Sequence, residues 1–203
     1  MRALPKKLLP LILFGIAVTS LFSVQPVQAF TITMEQVGSN VVANGSGAIN
    51  LTGLTFDGSG SGGAADVFAS SGGISIGATV DTTLYNGFTG PTSFGSGGVH
   101  FANTSSGDFV TIFASGFFFQ DISLPRTYVS NAALSDSMTF NSATFATLGV
   151  IPGTYTWTWG TGLPNQNFTL VIGRATVPDG GTTVSLFGFA LFGLTALRRK
   201  LRC

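Results

Sequence analysis

The sequence predicts an all-β chain: a single antiparallel β-sandwich domain, jelly-roll-like, flanked by an N-terminal signal peptide and a C-terminal transmembrane helix. Three observations predict it. Short segments that alternate apolar and polar residues recur from Phe30 to Ile172, separated by Gly, Asn, Ser and Pro. Helical periodicity is confined to one brief piece near Asn141–Leu148. The two long apolar runs lie at the two ends of the chain, each flanked by cations. The expected division is 1–29 signal peptide, 30–176 β-sandwich and 177–203 C-terminal signal, with no linker long enough to split the domain.

At the N-terminal end, Arg2, Lys6 and Lys7 form a positive n-region and Leu8 to Val24 an almost unbroken apolar h-region. Val27-Gln28-Ala29 is a small-residue site, which predicts export by the general secretion machinery and cleavage by signal peptidase between Ala29 and Phe30. The alternative is an uncleaved anchor, which Pro26 and Ala29 suit poorly.

Within the domain, Phe30, Ile32 and Met34 alternate with Thr31, Thr33 and Glu35, the pattern of a half-buried strand. Val37-Gly38-Ser39-Asn40 turns it back into Val41-Val42. Asn44-Gly45 reads as a type I′ turn, and Ala48–Phe56 as the strand after it. Further strands are expected at Ile74–Val80, Leu84–Phe88, Val99–Ala102, Phe109–Phe113, Phe117–Ile122, Ser137–Phe140, Gly153–Trp159 and Phe168–Ile172. A turn or two of helix is expected at Asn141–Leu148, with Asn141 or Ser142 as N-cap and Gly149 closing it. The Gly/Ser stretch from Asp57 to Asp66 reads as a mobile connecting loop. A phosphate cradle there lacks the Lys-Ser/Thr that follows the glycines, and two aspartates are few for calcium.

Charge is unevenly distributed. Seven of the nine cations lie in the terminal segments, leaving Arg126 and Arg174 against seven carboxylates in 30–177, a net charge of −5. Nucleic-acid binding requires clustered cations to displace counterions, and none are present there. The one cysteine, Cys203, lies beyond the domain, which excludes a disulfide, a thiol nucleophile or a cysteine metal cage within it. His100 is the only histidine; between Val99 and Phe101 it reads as a strand residue facing solvent, and no Gly-x-Ser-x-Gly elbow accompanies it for a triad. A zinc site has too few ligands. Glu35 and the aspartates have no spacing that pairs them for glycoside hydrolysis. No catalytic residue, metal or cofactor is therefore expected.

The sharpest internal segment is Gly153-Thr-Tyr-Thr-Trp-Thr-Trp-Gly160. Tyr155, Trp157 and Trp159 share one face of a strand and three threonines the other. Two readings stand: the main core strand, or a platform of rings that stacks on the sugars of an exopolysaccharide.

The C-terminal end combines a turn at Val177, Pro178, Asp179, Gly180 and Gly181, a transmembrane helix expected over 182–197, and a basic tail over 198–203 carrying Arg198, Arg199, Lys200 and Arg202. Its uncharged run, Val184–Leu197, would span about 21 Å as a helix against roughly 30 Å of hydrocarbon. Snorkelling arginines make up part of the difference, so a strained or temporary span is expected, with the basic tail inside.

This order of motif, span and basic tail resembles the PEP-CTERM class of bacterial C-terminal sorting signals, closest to the variant written Val-Pro-Asp-Ser-Gly. Gly180 stands where that variant has Ser. The resemblance implies that a membrane exosortase recognises the tail and cleaves it. It extends inward to Gln36–Gly47 with Leu51–Leu54, and to a closing run from Leu124-Pro125 to Pro152–Gly160. The class carries no established activity, so the resemblance implies a non-enzymatic surface or extracellular-matrix protein. Such a protein would be transiently anchored, then released to the cell surface or beyond. Proteins of this class are linked to glycosylation and exopolysaccharide production, which makes modification of the Ser/Thr surface an expectation without assigned sites.

Overall fold

The structure, a computed structural model, describes residues 28–115 and 120–173. Those residues form two packed sheets. In chain order the strands are β1 (Phe30–Val37), β2 (Asn40–Ala48), β3 (Thr55–Ser61), β4 (Asp66–Phe68), β5 (Gly73–Ile76), β6 (Asp81–Asn86) and β7 (Val99–Phe101). They continue as β8 (Thr104–Gly107), β9 (Val110–Phe113), β10 (Asp121–Pro125), β11 (Ala133–Phe140), β12 (Gly153–Thr158) and β13 (Asn167–Ile172). One sheet runs β12-β13-β1-β2-β11-β8, and the other β3-β6-β10-β9-β5-β4-β7.

The all-β sandwich is therefore present, with two corrections to its finer form. A jelly roll has eight strands, whereas here the described residues give sheets of six and seven. The sandwich is also not wholly antiparallel: β1 and β13 pair in parallel, Phe30 opposite Phe168 and Met34 opposite Ile172. Because the two strands run the same way, Ala29 enters at one end of the six-stranded sheet and Gly173 leaves at the other, its N–H donating to the Met34 carbonyl at 2.9 Å.

Register explains the core. Trp157, Phe168 and Phe30 lie side by side on β12, β13 and β1. All three are fully buried, with ring centroids 5.7 and 5.2 Å apart. The next inward row is Tyr155, Leu170, Ile32, Gly45 and Asp136, so a carboxylate sits in a row otherwise built for the core. Facing these, Ile74, Ile112 and Ile122 of the second sheet are fully buried.

The expected turn at Asn44-Gly45 is not a turn. β2 runs straight through it, paired with β1 on one side and β11 on the other. Glycine is needed there for space: a Cβ would lie 2.8 Å from the Phe30 ring and against the Asp136 carboxylate. Ala48–Phe56 is likewise not one strand. The chain turns after Ala48, with the Asn50 carboxamide accepting from Thr52 N–H at 3.0 Å, a local bond that competes with the ladder. The Asp57–Asp66 stretch is a strand in large part, since β3 pairs with β6 from Thr55 to Ser61. β10 begins at Asp121, later than expected, and residues 117–119 of the predicted Phe117–Ile122 strand lie outside the described residues. The helix is one turn, α1 (Phe145–Leu148), and its N-cap is Thr144. Thr144 and Thr147 form a reciprocal capping box, which Asn141 and Ser142 stand too early to make. Gly149 closes the helix in the left-handed region as expected.

Candidate functional site

The aromatic strand turns inward. Trp157 is fully buried and Trp159 nearly so; their indole N–H groups donate to the carbonyls of Pro91 at 2.8 Å and Asn50 at 2.7 Å. Tyr155 is half-buried, its ring against Phe94 and its hydroxyl donating to the Ile151 carbonyl at 3.0 Å. A face that is packed and hydrogen-bonded in this way is not open to stack on sugar, so the platform reading of Tyr155, Trp157 and Trp159 is corrected to core. The threonines between them face solvent.

At the N-terminal boundary, Ala29 bridges to Ala48 and Phe30 opens β1. The rest of the predicted signal peptide, residues 1–27, lies outside the described residues, as do Val177–Gly181, the expected helix 182–197 and the basic tail. Among the described residues, no helix is long and apolar enough to cross a membrane.

Carboxylates do not gather. Among the described residues no three of His, Cys, Asp and Glu stand close enough together to hold a metal. Asp57 and Asp66, the pair weighed as a calcium loop, lie on β3 and β4, separated by four intervening strands of the seven-stranded sheet. His100 sits on edge strand β7 opposite Val67.

The residues that do converge are on the outer face of that sheet. Antiparallel register sets Asp66 opposite Ser75, Ser75 opposite Thr111, and Thr111 opposite Ser123, a polar row across β4, β5, β9 and β10. Alternation puts these side chains on the face opposite Ile74, Ile112 and Ile122. With Asp121, two residues from Ser123, they line a cavity of about 320 Å³. All five are buried, at 5–8 % exposure. Ser123 Oγ donates to Asp121 Oδ2 at 2.6 Å, and Ser75 stands directly across from Asp66. Asp66 Oδ1 and Thr111 Oγ1 have no hydrogen-bond partner among the described residues. Burial pushes both carboxyls above the usual aspartate range, against the opposing effect of the serine hydroxyls.

The glycines read as a loop form one wall of this cavity. On β3 and just beyond it, Gly60 and Gly62 present bare backbone: a Cβ on Gly60 would lie 3.3 Å from Leu84, and one on Gly62 2.9 Å from the Phe109 ring. The signal was in the sequence. Gly58-Ser-Gly-Ser-Gly62 alternates with period two, a strand with one face stripped of side chains. Seeing the polar row needed register, because its four members come from four strands.

Residues 176–201 match the model of the VPDSG-CTERM motif. The chain thus carries a PEP-CTERM-like exosortase sorting signal of that variant. Such a signal points to export and to processing by membrane machinery of the exosortase type. No curated protein and no solved structure matches the chain.

Proposed function

We propose that this chain is a non-enzymatic surface or extracellular-matrix protein, exported by its N-terminal signal peptide, held in the membrane by residues 182–197 and then cut by an exosortase within Val177–Gly181. The observation that carries the reading is the motif at 176–201, with its uncharged run and four cations in the last six residues. The sandwich supports it. β13 ends at Ile172 and Gly173 is tied to β1, so only residues 174–176 separate the sheet from Val177. Three residues reach at most about 10 Å. The folded domain is therefore delivered beside the membrane and freed by a single cut. In this role Asp179 is recognised by the partner enzyme and does no chemistry of its own.

Replacing the motif tests this. Asp179→Ala in the full chain, expressed in the native cell, should leave the protein in the membrane fraction at its unprocessed mass. The unaltered chain should appear processed, at the surface or in the medium. Equal processing of both would refute recognition through Asp179.

A further inference from the structure

We propose that the cavity on the outer face of the seven-stranded sheet is a binding site for a neutral sugar ring, with Asp66 and Thr111 as its hydrogen-bonding floor. Three features of the site select that ligand. The first is the pair of orphaned atoms. A buried polar atom without a partner is costly, and here two lie in one cross-strand row, Asp66 and Thr111 with Ser75 between them. Asp66 Oδ1 accepts a hydrogen bond, or donates one when it carries the carboxyl proton, and Thr111 Oγ1 both donates and accepts. Hydroxyls of the ligand satisfy both, one donating to the aspartate and another accepting from the threonine. Ser123, beside Thr111, is already engaged with Asp121, which holds that carboxylate in place before the ligand arrives.

The second feature is the mixture of surfaces. A sugar ring is polar around its edge and apolar on its C–H faces. The polar row forms one surface of the cavity, while Phe109, Phe113 and Leu84 supply apolar lining, and Phe101, 65 % exposed on edge strand β7, stands at the rim. The bare backbone of Gly60 and Gly62 leaves room for a ring that side chains would fill. The volume of about 320 Å³ falls at the small end of ligand cavities, roughly 300–1,000 Å³.

The third feature is what the site lacks. Among the described residues neither Lys nor Arg lines it, so none of them neutralises an anionic ligand. Asp66 and Asp121 stand on β4 and β10, with β5 and β9 between them, too dispersed to share a divalent cation. Burial favours the neutral form of both acids, which suits hydrogen bonding to an uncharged polyol better than pairing with a cation. The site is independent of the sorting reading, and either can fail without the other.

The test is calorimetric titration of the full chain in an amine-oxide detergent, which carries no sugar of its own. The probes are neutral hexopyranoses, 6-deoxyhexoses and pentopyranoses, with calcium chloride and ethanolamine in parallel. Saturable heat is expected with at least one sugar, and Asp66→Asn and Thr111→Val should each weaken it about tenfold or more. Phe101→Ala, at an exposed rim position that folding does not need, should weaken it several-fold and keeps the test open if the buried variants do not fold. No saturable heat with any sugar overturns the proposal. So does heat with calcium or ethanolamine alone, or sugar binding that none of the folded variants changes.

Discussion

Stability should fall as pH rises from about 4 to 7, and Asp136→Asn should remove most of that slope. Asp136 is 6 % exposed, sits in the inward row beside Ile32 and Gly45, and neither carboxylate oxygen has a hydrogen bond of good geometry. Burial, then the nearby charge of Asp108, raise its pKa to about 7 against an opposing backbone contact from Gly45. The sign follows from proton counting. Between the unfolded value of 3.8 and the folded value near 7, the folded state keeps a proton that the unfolded state has released. Raising pH through that window therefore favours unfolding, and above it the loss is complete. A shift of this size corresponds to something on the order of 4 kcal/mol. Asp66 and Asp121, also raised, add to the same trend. Urea midpoints at pH 4, 5.5, 7 and 8.5 check it. Wild type and Asp136→Asn should agree near pH 4 and diverge by several kcal/mol at pH 8.5, the variant being the more stable. Parallel pH profiles would show that Asp136 is not a buried, uncompensated acid.

Trp157→Ala should cost about 3–5 kcal/mol, the usual loss for removing a large aromatic from a core. The indole is fully buried, packs edge-on against Phe168 and donates to the Pro91 carbonyl, which would be left unpaired. Gly90 adds to the cost of any shift, since the Trp157 ring occupies the place a Cβ there would take. Domains are stable by roughly 5–15 kcal/mol, so the loss is about a fifth or more of the total, with a fall in melting temperature of roughly 10 °C. Thr156→Ala, one residue away on the exposed face, should change stability by no more than about 0.5 kcal/mol. Thermal and urea unfolding of the two variants separate core from surface on this strand. Comparable losses from both would contradict the inward face.

How much of this was legible from sequence depended on how local the signal was. The alternation of β1, β12 and β13 is a property of consecutive residues, and those strands stand where the pattern puts them. Asn44-Gly45 misled because the same dipeptide serves a turn or a close approach, and only the Phe30 ring and the Asp136 carboxylate above it decide between them. β4 and β8, with three and four residues, are too short to show a period and exist because neighbours pair with them. The inward aromatic face left both readings open, since alternation separates two faces without saying which is buried. The polar row of Asp66, Ser75, Thr111 and Ser123 was the least legible, because its members are scattered over 58 positions and meet only through register. The sorting signal was the most legible: it is contiguous, and its meaning lies in the order of its parts.

Sorting is tested most directly by the intact mass of the protein recovered from its native cell envelope and medium. Export followed by exosortase cleavage predicts a chain that starts at Phe30 and ends within Val177–Gly181, with any excess mass belonging to glycan or a new anchor. A chain that still carries Arg202 and Cys203 would mean that the tail is only an anchor, and would contradict processing at the motif.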